Sequence, residues 1–328
     1  MTDSHAPRRL PSWMSFGILV AAIGLLVWFV GRDLDSLDAL RTISPVAVVV
    51  ILVLQGLYLI PESYRQQVVV ESAGRARIPA PAWFRIFVIG RFLNSLIPQS
   101  GNVYRALRLK TDYGVGYVDY VGSMVLFLMM SVSLNLGLAS LLIAIDPSDS
   151  VGDSIVTPWV LLTLAVVVVA VPLLVWWILE RVEISDTAWI APLRILRDLM
   201  NSAIGALRQP GLLVRFVGAW LVTLAVVVAL YGVVLSSVGA SVGIGETVAM
   251  YALVQATSFA VITPGNLGIQ ELGFTGLAAL FGVPLAQGAA AAAIIRASGW
   301  IALVIPALIL GGRDIFHYLR TPTGKAEQ

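Results

Sequence analysis

Long apolar stretches separated by short polar ones recur along the whole chain: residues 14–31, 43–60, 83–98, 118–145, 158–179, 212–238, 247–263, 267–283 and 285–310. A helix needs about 20 apolar residues to cross a hydrocarbon core about 30 Å thick. Six runs approach or exceed that length. The other three, 83–98, 247–263 and 267–283, are shorter, and each ends at or starts beside a proline or glycine break. The pattern predicts an all-α polytopic membrane protein of about six full transmembrane helices.

Charge gives the spans a direction. Five segments hold all but four of the 21 lysines and arginines: those around Arg8/Arg9, Arg65/Arg75/Arg77/Arg85, Arg105/Arg108/Lys110, Arg181/Arg194/Arg197/Arg208/Arg215 and Arg313/Arg320/Lys325. The intervening loops are poor in them: residues 146–153 and 239–246 contain none, and Arg32 and Arg41 stand beside Asp33, Asp35 and Asp38. The positive-inside rule then places both termini in the cytoplasm of a cell that holds the chain in its inner (plasma) membrane.

With basic clusters on both sides, run 83–98 is expected to enter from the cytoplasm and return there. By the same logic, the stretch 247–283 leaves an outer loop and returns to it. The expectation is two re-entrant hairpins of opposite orientation, turning at Leu96-Ile97-Pro98-Gln99-Ser100-Gly101-Asn102 and at Val261-Ile262-Thr263-Pro264-Gly265-Asn266. Two full spans are expected after each, as an inverted pseudo-repeat, and broken apolar segments in matching places point to a site near the midplane. Ordinary proline-kinked spans are the competing reading.

The organisation expected is one membrane domain over 1–328. Its first half is 14–180 with a hairpin at 83–110, and its second half 212–311 with a hairpin at 247–283. Polar tails cover 1–12 and 312–328. Between the halves, residues 186–210 carry Ile190, Leu193, Leu196, Met200, Ile204 and Leu207 at helical spacing among charged positions. That predicts an amphipathic helix on the cytoplasmic interface, or a plain connector. Run 14–31 follows Arg8 and Arg9 as a signal sequence would, but it is long and lacks a small-x-small cleavage site, so it is expected to be an uncleaved first span.

Composition sharpens the chemistry. Hydrophobic residues make up 58% of the 328 and charged residues 12%, about half the charge of a soluble domain, with mean hydropathy +0.89. Cysteine is absent, and the two histidines, His5 and His317, lie in polar tails, so thiol chemistry is excluded and a histidine-based metal or catalytic centre is not expected. Phosphate-loop, dinucleotide and HExxH motifs are missing. No enzyme activity, cofactor, metal or nucleic-acid partner is expected.

Three charges stand inside apolar runs: Arg91, Glu271 and Arg296. Each would cost about 2.5–3.5 kcal/mol at a bilayer centre and must face protein, water or a charged ligand. Arg296 and Glu271 could form a structural ion pair, bind a ligand, or do both. Arg91 could snorkel to the surface. After Pro98 and Pro264, Asn102 and Asn266 are expected to cap new helices, with Gly101, Gly265 and Gly268 permitting the tight turns. Free N–H groups at two helix N-termini, with Arg91, Arg105 and Arg296 nearby, would cradle a lipid phosphate.

Gly90-Arg91-Phe92-Leu93-Asn94 through Pro98, Gly101, Arg105 and Leu109, and Thr263 to Glu271 followed by Gly282-Val283 and Ala293 to Arg296, resemble the two signatures of the flippase-like family. That family includes the membrane flippase domain of lysylphosphatidylglycerol synthase. The resemblance covers nearly the whole chain and implies re-entrant hairpins and a role in moving or presenting lipids. It carries over Arg91, Pro98, Gly101 and Arg105 in the first signature, and the neighbouring Asn94 and Asn102 are expected to complete that side of the site. In the second it carries over Pro264, Gly265, Gly268, Glu271 and Arg296, with Asn266 expected beside them as a cap. Asn102 and Val103 stand where the family often has an acidic residue, and only about 18 residues follow Leu310, so lysyl transfer is not expected.

The function expected is translocation of an anionic phospholipid or polyprenyl-phosphate-linked lipid between leaflets, with Glu271 as gate or counter-ion. The rival is a non-transporting membrane partner of a lipid-modifying enzyme or glycosyltransferase.

Overall fold

The computed structural model describes residues 43–145, 157–182, 191–257 and 268–320. Run 14–31, the loop 146–156 and the expected turn residues Pro264, Gly265 and Asn266 lie outside them. The described residues form ten helices: α1 Pro45–Gly74, α2 Ala80–Leu96, α3 Ser100–Tyr113, α4 Tyr117–Ile145, α5 Pro158–Arg181, α6 Ala191–Leu207, α7 Leu212–Ser237, α8 Ile244–Thr257, α9 Ile269–Leu280 and α10 Leu285–Arg320. Five are long and apolar enough to span a bilayer: α1, α4, α5, α7 and the 285–311 part of α10. The chain is a multi-pass all-α membrane protein.

α1 starts where Ser44 accepts a hydrogen bond from the Ala47 N–H (3.1 Å) and Pro45 fills the first helical position, where a missing N–H costs nothing. The sequence places its end near Pro61. In the structure it runs 30 residues to Gly74, about 45 Å at 1.5 Å per residue. Pro61 removes only the bond to the Leu57 carbonyl, a loss that neighbouring helices make tolerable in a membrane. The residues beyond it, Glu62, Ser63, Arg65, Gln66 and Gln67, are buried against protein instead of emerging into water.

α1 and α7 pack antiparallel at the centre. Ile51 shares a cluster with Val227, Val234 and Val238, while Val68 and Val69 share one with Leu212 and Phe216 at the other end. That second end carries Arg75, Arg77, Arg208 and Arg215 and is the basic end of the molecule. α4 rises from it, since Tyr120 packs with Trp83 and Val115, and reaches the opposite end where Ile143 meets Ala249 and Leu253. α5 leans on α4 and turns most of its apolar surface outward, Trp159 and Val166 among it, as a lipid-facing helix does.

The two short helix pairs enter from opposite ends. α2 and α3 open at the basic end: Val115 seats against Gly74, and the Trp83 indole donates to the Ser63 carbonyl at 2.7 Å. α8 and α9 open at the other end, where Val283 and Ala278 join the Ile51 cluster. Gln55, ten residues into α1, donates to the Ile295 carbonyl (2.9 Å) and to Ser298 (3.1 Å). The tip of the first hairpin, and Gln255 and Gln270 near the described ends of α8 and α9, share a cavity with Gln55, about 15 Å along α1 from its start.

Two details differ from expectation. Among the described residues two full spans, α4 and α5, follow the first hairpin, but only α10 follows the second. The amphipathic helix α6 buries Met200, Ala203 and Ala206 while Leu193 and Ile195 stay exposed. Its seam is set by α4, where Gly122 admits the Leu199 carbonyl and Asp119 accepts from the Ser202 hydroxyl at 3.0 Å. Leu193 and Ile195 thus face away from the bundle, while Met200 and Leu207 pack into it.

Candidate functional site

Between the first hairpin tip and the described ends of α8 and α9 lies a cavity of about 320 Å³. Of the residues singled out in the sequence, Arg91, Asn94, Asn102, Glu271 and Arg296 line it. Pro98, Gly101, Arg105 and Gly268 shape the tips without lining it.

The first tip is tight because it contains glycine. A Cβ on Gly101 would run into the Gly90 carbonyl of the facing arm. This close approach lets Asn94, on α2, accept from the Gly101 N–H on α3 at 2.8 Å. The cap residue of α3 is Gln99, in the left-handed region at φ 65°, and not Asn102, which sits in the first turn and donates to the Gln99 side-chain oxygen at 2.6 Å. The remaining N–H groups are also taken: Ser100 donates to the Ile97 carbonyl (3.2 Å) and Asn102 to that of Gln99 (3.1 Å). The expected cradle of free N–H donors is therefore absent at this tip, whose residues are all described. Positive charge there comes from arginine side chains instead.

Arg91 places its guanidinium over Tyr58 (5.3 Å) and Phe87 (5.9 Å), at the cavity wall. Arg105 lies behind the hairpin, 5% exposed, and donates to Gln66 (3.1 Å) and the Phe87 carbonyl (3.3 Å). Gly90 leaves the space it fills. Its role on this geometry is to brace the arms.

At the second tip the carboxylate of Glu271 occupies the N-terminus of α9. One oxygen accepts from the Gly268 N–H (2.7 Å), and the other accepts from Arg296 Nε. Arg296 also donates to Gln270 at 3.3 Å. A helix N-terminus favours an anion, and here a protein carboxylate is that anion. The ion pair and the helix cap are one structure.

A second buried pair is not apparent from the apolar pattern. Arg65, which the sequence groups with the cytoplasmic basic residues, is 1% exposed. It donates to Glu62 (2.9 Å) and Ser131 (2.6 Å), and its guanidinium lies 5.1 Å from the Phe127 ring and 4.9 Å from that of Phe216. The signal is the i,i+3 spacing of Glu62 and Arg65 followed by Gln66-Gln67, visible once Pro61 is allowed inside a helix. The charged residues buried among those described are Glu62, Arg65, Arg105 and Glu271, two of each sign, while Arg91 and Arg296 are partly buried at the cavity. Among the described residues no cluster of histidine, cysteine and carboxylate could hold a metal.

No curated protein and no solved structure matches the chain. A family model does: that of the lysylphosphatidylglycerol synthase TM region, over residues 14–307. The match takes in both hairpins and the cavity between them, and the chain belongs to the family of the lysylphosphatidylglycerol synthase transmembrane region.

Proposed function

We propose that this membrane protein moves an anionic lipid between leaflets, a phospholipid or a polyprenyl-phosphate-linked lipid, with the headgroup in the cavity and the chains in the bilayer. The observation that carries the reading is a cavity between the first hairpin tip and the described ends of α8 and α9, lined by Arg91 and Arg296 against one carboxylate among the described residues, Glu271. A charge there costs about 2.5–3.5 kcal/mol unless compensated. A headgroup phosphate compensates Arg91 directly.

Glu271 supplies the other half of the mechanism. It neutralises Arg296 and caps α9. An arriving phosphate exchanges with that carboxylate, so the charge on Arg296 is compensated before and after binding. The exchange leaves Glu271 on the Gly268 N–H alone, a cost that offsets part of the phosphate binding and keeps the site from becoming a sink. The cycle requires no covalent step.

The test is leaflet movement of fluorescent lipids in proteoliposomes, native chain against Arg296→Ala. Phosphatidylglycerol, its aminoacylated form and a polyprenyl phosphate form the panel. Movement of at least one lipid, lost in the variant, is expected. Folded protein that moves none of them, or an Arg296→Ala variant as active as the native chain, overturns the proposal. The first outcome would favour a membrane partner of a lipid-modifying enzyme or glycosyltransferase.

A further inference from the structure

The cavity wall holds more amide and aromatic groups than charges. Gln55, Asn94, Gln99, Asn102, Gln255 and Gln270 bring carboxamides to it, and Tyr58, Tyr231, Tyr251 and Trp300 bring rings with polar tips. A carboxamide both donates and accepts, as does a hydroxyl, so such a wall is matched by a ligand rich in hydroxyl groups. A phosphate alone would need only the arginines.

One wall residue carries a specific sign of this. Tyr251 is 1% exposed, yet its hydroxyl has no hydrogen-bond partner among the described residues. Its ring is held edge-on against Tyr231 at 6.2 Å between centroids, inside the Ile51 cluster. Buried phenol groups nearly always find a partner, because leaving one unmade costs about 1–3 kcal/mol. Tyr251 borders the cavity but its hydroxyl presents almost no surface to it, so a ligand oxygen would supply the partner as the ring shifts toward the cavity.

The same wall is ill suited to a cationic headgroup. Its one carboxylate among the described residues, Glu271, already accepts from Gly268 and Arg296 on separate oxygens. The ammonium groups of an aminoacyl ester would enter beside Arg91 and Arg296 with no spare anion, and like charges repel strongly in a desolvated site.

Resting on the transport reading above, we infer that the cavity selects a hydroxyl-bearing headgroup carried on a phosphate, of the glycerol or glycosyl kind, and rejects cationic aminoacyl headgroups. This holds although the family is named for an enzyme of a lysylated lipid.

The experiment is lipid competition for the full chain in detergent micelles, with bound lipid identified by native mass spectrometry. The competitors are phosphatidylglycerol, lysylphosphatidylglycerol and phosphatidylethanol with matched acyl chains, plus a glycosyl polyprenyl phosphate. Phosphatidylethanol carries the same phosphate charge as phosphatidylglycerol and no hydroxyl.

Phosphatidylglycerol or the glycosyl lipid should be retained at least tenfold over both phosphatidylethanol and the lysylated lipid, and which of the two wins identifies the source. Tyr251→Phe should cut that preference at least threefold without lowering the unfolding temperature, since the hydroxyl has no partner to lose among the described residues. Equal retention of phosphatidylethanol, strong retention of the lysylated lipid, or an unchanged preference in Tyr251→Phe overturns the inference. Preference without leaflet movement would reject transport and keep this inference; movement without preference would do the reverse.

Discussion

Replacing Gly101 by alanine adds one methyl group at the point where the arms of the first hairpin touch. The added Cβ would fall more than an ångström inside the 3.0 Å that real Cβ atoms keep from such neighbours, and the atom it meets is the Gly90 backbone carbonyl. No rotamer change relieves a backbone clash, so α2 and α3 must part. Parting by that distance stretches the Asn94–Gly101 hydrogen bond from 2.8 Å to beyond bonding range. A buried donor left unmade costs about 1–3 kcal/mol, and overpacking costs about 1–3 kcal/mol more. Alanine returns at most about 1 kcal/mol of helix propensity. The net expectation is a loss of about 1–6 kcal/mol.

The assay is thermal unfolding of the purified chain in detergent, with Gly137→Ala as control. Gly137 lies within α4, and a Cβ there meets nothing within 4 Å. The control should unfold at or slightly above the native temperature and Gly101→Ala clearly below it. Equal midpoints for the two variants would refute the close-packed hairpin.

Glu62→Ala should lower stability by about 3–5 kcal/mol, because it leaves the Arg65 charge buried and unpaired, whereas Glu62→Leu with Arg65→Met should lie within about 1–2 kcal/mol of native. A double variant as unstable as the single one, in the same unfolding assay, would show that the pair itself is not what matters. The chain has no cysteine, so cysteines placed at Thr111 and at Ser241, both exposed, can be labelled without background. An impermeant maleimide should reach Ser241→Cys from outside intact cells and Thr111→Cys only after lysis; the reverse would invert the orientation taken from the positive-inside rule.

How much of this is legible in the sequence follows from which properties are local. Span length and the charge of flanking loops belong to contiguous residues, and lipid imposes them directly, so the amino-acid order alone marks the long helices and the two broken apolar stretches. Arg91, Glu271 and Arg296 are legible for the same reason, as charges within apolar runs.

What tertiary structure alone decides concerns partners far apart in the chain. Arg65 reads as a surface residue until Ser131, Phe127 and Phe216 close around it. Gln55 meets Ile295 across 240 positions, and Arg105 turns out to brace the hairpin from behind the cavity. The helix N-terminus expected to bind phosphate is satisfied by Asn94 on the other arm, and the end of α9 by Glu271. Whether a polar group inside a membrane is free for a ligand depends on whether a neighbour has already satisfied it, and neighbours are set by packing, which no local pattern records.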